Sequence, residues 1–134
     1  MGTRKQLDDW RLKMTKYDTA NLSLGQAQRI LPLMVRDLIT FAYAEGYELT
    51  FGDAYRDPRV FGTFGSKKEG AYGRWKSNHK RRLAVDFNLF KDGVYLTKSE
   101  DYTSLGEYWE SLGGSWGGRF NDGNHFSIQF QGIR

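Results

Sequence analysis

The segment Leu83-Ala84-Val85-Asp86-Phe87-Asn88-Leu89 alternates with period two, so that Leu83, Val85, Phe87 and Leu89 share one face and Ala84, Asp86 and Asn88 the other. Only an extended strand lying half-buried on a core satisfies that pattern, and the chain is therefore committed to a sheet. Lys91-Asp92-Gly93 supplies Asp-Gly turn chemistry and leads into Val94-Tyr95-Leu96, which reads as a hairpin. Further strands are expected over Glu48 to Tyr55, ended by Arg56-Asp57-Pro58, and over His125 to Phe130, with Phe126, Ile128 and Phe130 toward the core.

Helical spacing appears twice. Ser23 with Gln26 forms a capping box, and Ala27, Ile30, Leu31, Met34, Val35, Leu38, Phe41 and Ala42 recur at intervals of three and four up to Gly46. Pro32 interrupts this stripe, so a short helix from Ser23 to Leu31 is expected, with Pro32 opening a second, main helix. Trp10, Leu12 and Tyr17 are candidates to pack on it. Tyr102, Leu105, Tyr108, Trp109 and Leu112 mark another short helix, stopped by Gly113-Gly114. Asp57 to Asn78, punctuated by Gly62, Gly65, Gly70 and Gly73, has the length and irregularity of a functional lid or a disordered loop. The order of elements predicts an α+β fold with a small, mostly antiparallel sheet and helices on one side. At 134 residues the chain is one domain, 1–134.

No cysteine is present, which removes disulfides, thiolate metal sites and cysteine nucleophiles together. Any metal must be held by His and carboxylate. No apolar run approaches the roughly 18 residues of a membrane span, and Met1 to Asp9 leads into no apolar signal region, so synthesis is expected to end in a cytoplasm without stable membrane insertion. Gln6 stands where a myristoylation signal needs Ser or Thr. The net charge of +4 favours anionic surroundings without choosing among them.

The two histidines, His79 and His125, both lie in polar settings near strands. Asp86 occupies the polar face of an otherwise apolar strand, where a carboxylate costs several kcal/mol unless paired or metal-bound. If the strands of Asp86 and His125 are neighbours, these side chains converge, and a bend through Lys80-Arg81-Arg82 brings His79 back to them. Two imidazoles and one carboxylate are the ligand set of a catalytic zinc with a position left for water. Asp122, three residues before His125, is placed to act as general base, and Arg56 to hold an oxyanion. The alternative for Asp122 is a plain turn former in Asn121-Asp122-Gly123.

Ser77-Asn78-His79-Lys80-Arg81-Arg82-Leu83-Ala84-Val85-Asp86 resembles the Ser-x-His-x-x-Gly-x-Ala-x-Asp signature of the LAS-type metallopeptidases, which include D-alanyl-D-alanine carboxypeptidases, D-Ala-D-Ala dipeptidases and phage L-alanyl-D-glutamate endopeptidases. Asp122-Gly123-Asn124-His125 resembles their second signature in its endopeptidase form. Gly52 to Pro58 is similar to the segment carrying the family's substrate-polarising arginine, and Trp116-Gly117-Gly118 to the run before the last motif. The likeness covers about Ile30 to Phe130. It implies zinc on His79, Asp86 and His125, Asp122 as general base, Arg56 on the scissile carbonyl and Ser77 orienting the site. Arg82 departs from the pattern by standing at the family's glycine, which calls for a differently shaped turn or for strain of order 1 kcal/mol.

The function expected from this resemblance is zinc-dependent hydrolysis of a peptidoglycan stem peptide by a monomer, as an L-alanyl-D-glutamate endopeptidase. Its setting would be a phage endolysin, made in the host cytoplasm and acting on the wall after release. A D-Ala-D-Ala carboxypeptidase or dipeptidase is the alternative within enzymes. A nucleic-acid binder using Tyr72, Trp75 and the charges of Lys76 to Arg82 is the alternative outside them, although it leaves the His and Asp spacing unexplained. The same basic cluster, with Arg74, would otherwise be a solvated face.

Overall fold

A computed structural model describes residues 15–57, 59, 63–65 and 77–134. The expected packing of Trp10 and Leu12, and most of the Asp57 to Asn78 loop, lie outside these residues. The first helix, α1 (Leu24–Ala44), opens on the capping box, in which Ser23 Oγ accepts from Gln26 N–H and Gln26 Oε1 accepts from Ser23 N–H. It runs through Pro32 without a break, which corrects the expectation of two helices. Pro32 lies on the exposed side, where one lost ladder bond faces water, while Ala27, Leu31, Met34, Leu38 and Ala42 anchor both halves of the helix in one core.

Strand β1 (Glu48–Phe51) pairs antiparallel with β2 (Ala84–Lys91), which turns through Asp92 and Gly93, both at positive φ, into β3 (Val94–Leu96). A single 3₁₀ turn leads into α2 (Thr103–Leu112), and the short β4 (Ser115–Trp116) and β5 (His125–Ser127) complete the sheet. The order is β1-β2-β5-β4, with β3 also paired to β2. Every pairing is antiparallel.

Val85, Phe87 and Leu89 of β2 join Phe126 in packing against α1 and against Leu105, Trp109 and Leu112 of α2. Each such large side chain, fully buried, contributes about 1.5–3 kcal/mol. The helices cover this face, and the face bearing Asp86 and His125 is left for chemistry. Tyr17 reaches α1 as expected, its hydroxyl donating to Asp37 Oδ2 at 2.7 Å beside Lys16 Nζ at 2.9 Å. Two strands are shorter than expected. β1 stops at Phe51, yet the chain stays beside β2 through Gly52 N–H to Asp86 O and Asp86 N–H to Asp53 O. β5 stops at Ser127, and Phe130 pairs instead with Ile133 in a terminal turn.

Arg82 meets its departure from the family glycine with strain: it is left-handed, at φ 58° and ψ 34°, and ends the 3₁₀ turn Asn78–Arg81. Its guanidinium lies 4.0 Å from the Tyr55 ring centroid. Arg82→Ala therefore keeps the backbone strain and loses a stacking contact worth about 0.5–1 kcal/mol. Arg82→Gly loses the same contact and relieves the strain, and denaturant melting is expected to find it about 1 kcal/mol more stable than Arg82→Ala.

Candidate metal centre

The β2–β5 register sets Asp86 directly opposite His125, so two of the candidate ligands meet across one strand pair. His79 arrives from the 3₁₀ turn, where Ser77 Oγ accepts from His79 N–H at 3.2 Å, and Arg56 N–H donates to His79 O at 3.0 Å. Asn78 is fully buried and ties the turn down, its side-chain amide donating to Ile128 O and Ile133 O. The bend required by the sequence spacing is thus built from backbone hydrogen bonds together with side-chain-to-backbone bonds from Ser77 and Asn78.

His79, Asp86 and His125 each offer a ligand atom, all within 4.8 Å of one another. His79 Nδ1 lies 2.6 Å from Ala54 O, an atom that only accepts, so the ring proton sits on Nδ1 and the Nε2 lone pair faces Asp86 Oδ1 at 3.1 Å. His125 Nδ1 faces the same oxygen at 3.3 Å, which leaves Nε2 to carry that ring's proton; Nε2 is buried without a partner among the described residues. Lone pairs aimed at one carboxylate oxygen require a positive charge between them, either a proton or a metal ion. Ligand atoms about 2.0–2.2 Å from a tetrahedral zinc lie roughly 3.3 Å apart, and the two His–Asp spacings match this. The donor set fits zinc.

Burial pushes the Asp86 carboxyl up, but its hydrogen bonds to His125 and His79 outweigh burial and hold it at about 2. It is ionised at any working pH and ready to ligate. The His79 and His125 side chains are 2% and 8% exposed against 17% for Asp86, so access to the centre comes from the carboxylate side. Asp122 borders that opening, 49% exposed, with Oδ2 4.0 Å from His125 Nδ1.

Close backbone packing sets these positions. A Cβ on Gly52 would stand 3.1 Å from Asp86 Cβ, and one on Gly117 would stand 2.2 Å from Asp122 O and 2.8 Å from His125 Cβ. Trp116 explains the Trp-Gly-Gly run: its indole is buried and donates from Nε1 to Gly123 O at 2.8 Å, pinning the loop between Asp122 and His125. Arg56 is buried too. Its Nη1 donates to Ser77 Oγ at 2.9 Å, and its Nε lies 3.4 Å from Asp53 Oδ2, while Asp57 pairs with Arg59. Arg56 thus does pair with Asp53 at the end of the strand, but as a buried guanidinium that also holds Ser77 rather than as an exposed ion pair. Lys80 is likewise buried, and Arg81 lies 4.0 Å from the Phe64 ring centroid and donates to Asn78 Oδ1, so these two do not form the solvated face that composition suggested. Tyr72, Arg74, Trp75 and Lys76 lie outside the described residues.

A small α+β domain with one helix-covered face and a His-Asp-His centre on the other defines a zinc metallopeptidase. Residues 71–128 match the family model described as D-alanyl-D-alanine carboxypeptidase, a span that holds all three ligands and Asp122 but not Arg56. The matched span is less than half of the chain, and it is the part that carries the three candidate ligands. No relative among curated proteins matches it.

Proposed function

We propose that the protein hydrolyses a peptide bond in the stem of peptidoglycan, at the D-alanyl-D-alanine end. The observation that carries this reading is the convergence of His79, Asp86 and His125 within a segment matching the D-alanyl-D-alanine carboxypeptidase family. When bound, zinc supplies Lewis acidity and makes water acidic enough to be a nucleophile near neutral pH. His79 and His125 hold it as neutral rings and Asp86 as the anion. Asp122, at the open side, takes the proton and later returns it to the leaving amine. Arg56, held by Ser77, stabilises charge on the scissile carbonyl.

The second reading, an L-alanyl-D-glutamate endopeptidase, is favoured by the acid-x-x-His form of Asp122-Gly123-Asn124-His125. The setting of a phage endolysin, released from a host cytoplasm to the wall, belongs with that reading. Mass spectrometry of fragments released from purified peptidoglycan decides between them. Free D-alanine or its dipeptide supports the first, a new D-glutamyl amino terminus supports the second, and no fragments from zinc-loaded protein overturn both. Buried Lys80 and engaged Arg81 weaken the nucleic-acid alternative.

Arg56→Ala is expected to lower kcat by ~10²–10³-fold with zinc retained, because a preorganised charge acts mainly on the transition state. It also strips a partner from buried Ser77, at a cost of about 1–3 kcal/mol in stability. Arg56→Lys recovers part of the stability and little of the rate, since an ammonium lacks the planar fork. Steady-state kinetics and melting on both variants test this, and a kcat within a few-fold of wild type removes Arg56 from the chemistry.

A further inference from the structure

The polar face of β2 does not end at the metal centre. Asn88 and Phe90 follow Asp86 on the same face, at about 7 and 13 Å along the strand. The antiparallel registers set Thr50 beside Asn88, and Glu48 and Tyr95 on either side of Phe90, so these side chains share that face. They are joined to one another. Asn88 Nδ2 donates to Thr50 Oγ1 at 3.2 Å, the Tyr95 hydroxyl donates to Asn88 Oδ1 at 3.4 Å, and the Phe90 and Tyr95 rings stack with centroids 5.2 Å apart. β2 changes partner here, from β5 at residues 84–86 to β3 at residues 89–91, which leaves a gap in that edge at Phe87 and Asn88. Tyr102 bonds to Phe87 O and Leu89 N–H across the gap, and with Tyr95 and Asp122 it lines a cavity of about 220 Å³. The strip is therefore continuous with the open side of the centre.

Two of its groups are open to a ligand. Tyr95 and Glu48 are both exposed, and Glu48 forms no ion pair among the described residues. Lys91, next to Phe90, falls on the opposite face by alternation and lies 4.9 Å from the Tyr47 ring centroid. A carboxylate beside an exposed aromatic ring attracts a cation, through charge and through the ring face. A zinc ion held at Asp86 would be about 13 Å away, beyond the ~8 Å Debye length at physiological ionic strength, so it does not cancel the charge of Glu48. Reach decides which part of the substrate arrives here. At the D-alanyl-D-alanine end one residue lies on the amine side of the cleaved bond, so only the acyl side is long enough to follow β2. The α-carbon of the residue before the acyl-side alanine lies roughly 5 Å from the scissile carbon, and a side chain of lysine length adds ~6 Å, which brings an amine to Glu48.

We propose that Asn88, Phe90, Tyr95 and Glu48 form the subsite for the acyl part of the stem peptide, with Glu48 and Tyr95 holding a primary amine on the residue before the acyl-side alanine. Asn88 keeps one amide hydrogen and one oxygen lone pair beyond its two bonds, and these take the peptide main chain. The proposal rests on the D-alanyl-D-alanine reading above and deepens it.

The test uses zinc-loaded protein and two synthetic peptides ending in D-alanyl-D-alanine, preceded by lysine in one and by Nε-acetyl-lysine in the other. Wild type is expected to show a KM roughly fivefold lower for the lysine peptide with kcat unchanged, a preference that shrinks at high salt. Glu48 is exposed on the outermost strand of the sheet, so Glu48→Gln and Glu48→Lys should keep fold and zinc content. Glu48→Gln should bring the two KM values within about twofold of each other, and Glu48→Lys should invert the preference. Asn88→Ala should raise both KM values alike, and unchanged values there overturn the main-chain contact. Equal KM values for the two peptides in wild type, or a preference that survives in Glu48→Gln, overturn the subsite while leaving the hydrolase in place. If wild type cleaves neither peptide, calorimetric titration of the same peptides into zinc-loaded protein separates the two readings. Tighter binding of the lysine peptide that is lost in Glu48→Gln keeps the subsite and overturns cleavage at the D-alanyl-D-alanine end, and equal binding, or none, overturns the subsite.

Discussion

Asp86→Ala is expected to abolish both stoichiometric zinc and turnover, with the sheet still formed. Among the described residues Asp86 is the one carboxylate of the ligand set, and its oxygen is the point on which His79 Nε2 and His125 Nδ1 both aim. Removing it leaves two neutral imidazoles, too few ligands for a stable open site. The polar face of β2 tolerates alanine because Ala84 already occupies the equivalent position one pleat away. Loss of the metal is therefore separable from loss of the fold. Metal analysis of the purified variant should find less than a tenth of the wild-type zinc, circular dichroism should be unchanged, and activity should fall to background. His79→Ala and His125→Ala should lose zinc too, with a larger fall in melting temperature, since both rings are buried and His79 Nδ1 also holds Ala54 O. Full zinc in Asp86→Ala would mean that the ion sits elsewhere.

Period-two alternation made β2 legible from residues alone, and with it the anomaly of Asp86 on the polar face. Local chemistry also announced the Asp92-Gly93 turn and the Ser23 cap, because each depends on neighbours within four positions. What escaped were outcomes decided by distant contacts. Pro32 carries an ordinary helix-breaking signal, but the core contacts of Leu31 and Met34 on either side override it. Lys80 sits in a run of three basic residues that looks like a solvated surface, yet the turn that delivers His79 carries it into the interior. Arg56 was readable as a positive charge at a strand end; its burial against Ser77 follows from a tertiary approach of two segments 21 residues apart. The gap in the β2 edge had no signature in the sequence, since it arises from where β3 and β5 happen to stop. Trp116 and Gly117 had a resemblance but no mechanism until the indole and the missing Cβ were seen to fix the Asp122 loop.

Asp122→Ala is expected to keep zinc and fold while turnover falls by ~10²–10⁴-fold, the range for removing a positioned general base. The carboxylate is 49% exposed, and its nearest ion-pair partner, His125 Nδ1, is 4.0 Å away, so truncation breaks no strong contact. The loop's shape comes from its backbone: Asp122 N–H donates to Gly117 O at 2.9 Å and His125 N–H to Asp122 O at 3.1 Å, bonds that alanine preserves. A residue that served only as a turn former would lose a few tenths of a kcal/mol and no rate. Asp122→Asn sharpens the contrast, because the amide keeps the size and turn propensity of the side chain but cannot accept a proton at neutral pH. Both variants should therefore fall together in kcat, with KM and zinc content near wild type. Asp122→Glu should restore part of the rate, since the carboxylate returns with one extra methylene and imperfect placement. Near-normal kcat in Asp122→Asn would assign the proton transfer to another group and leave Asp122 as a turn residue beside the metal.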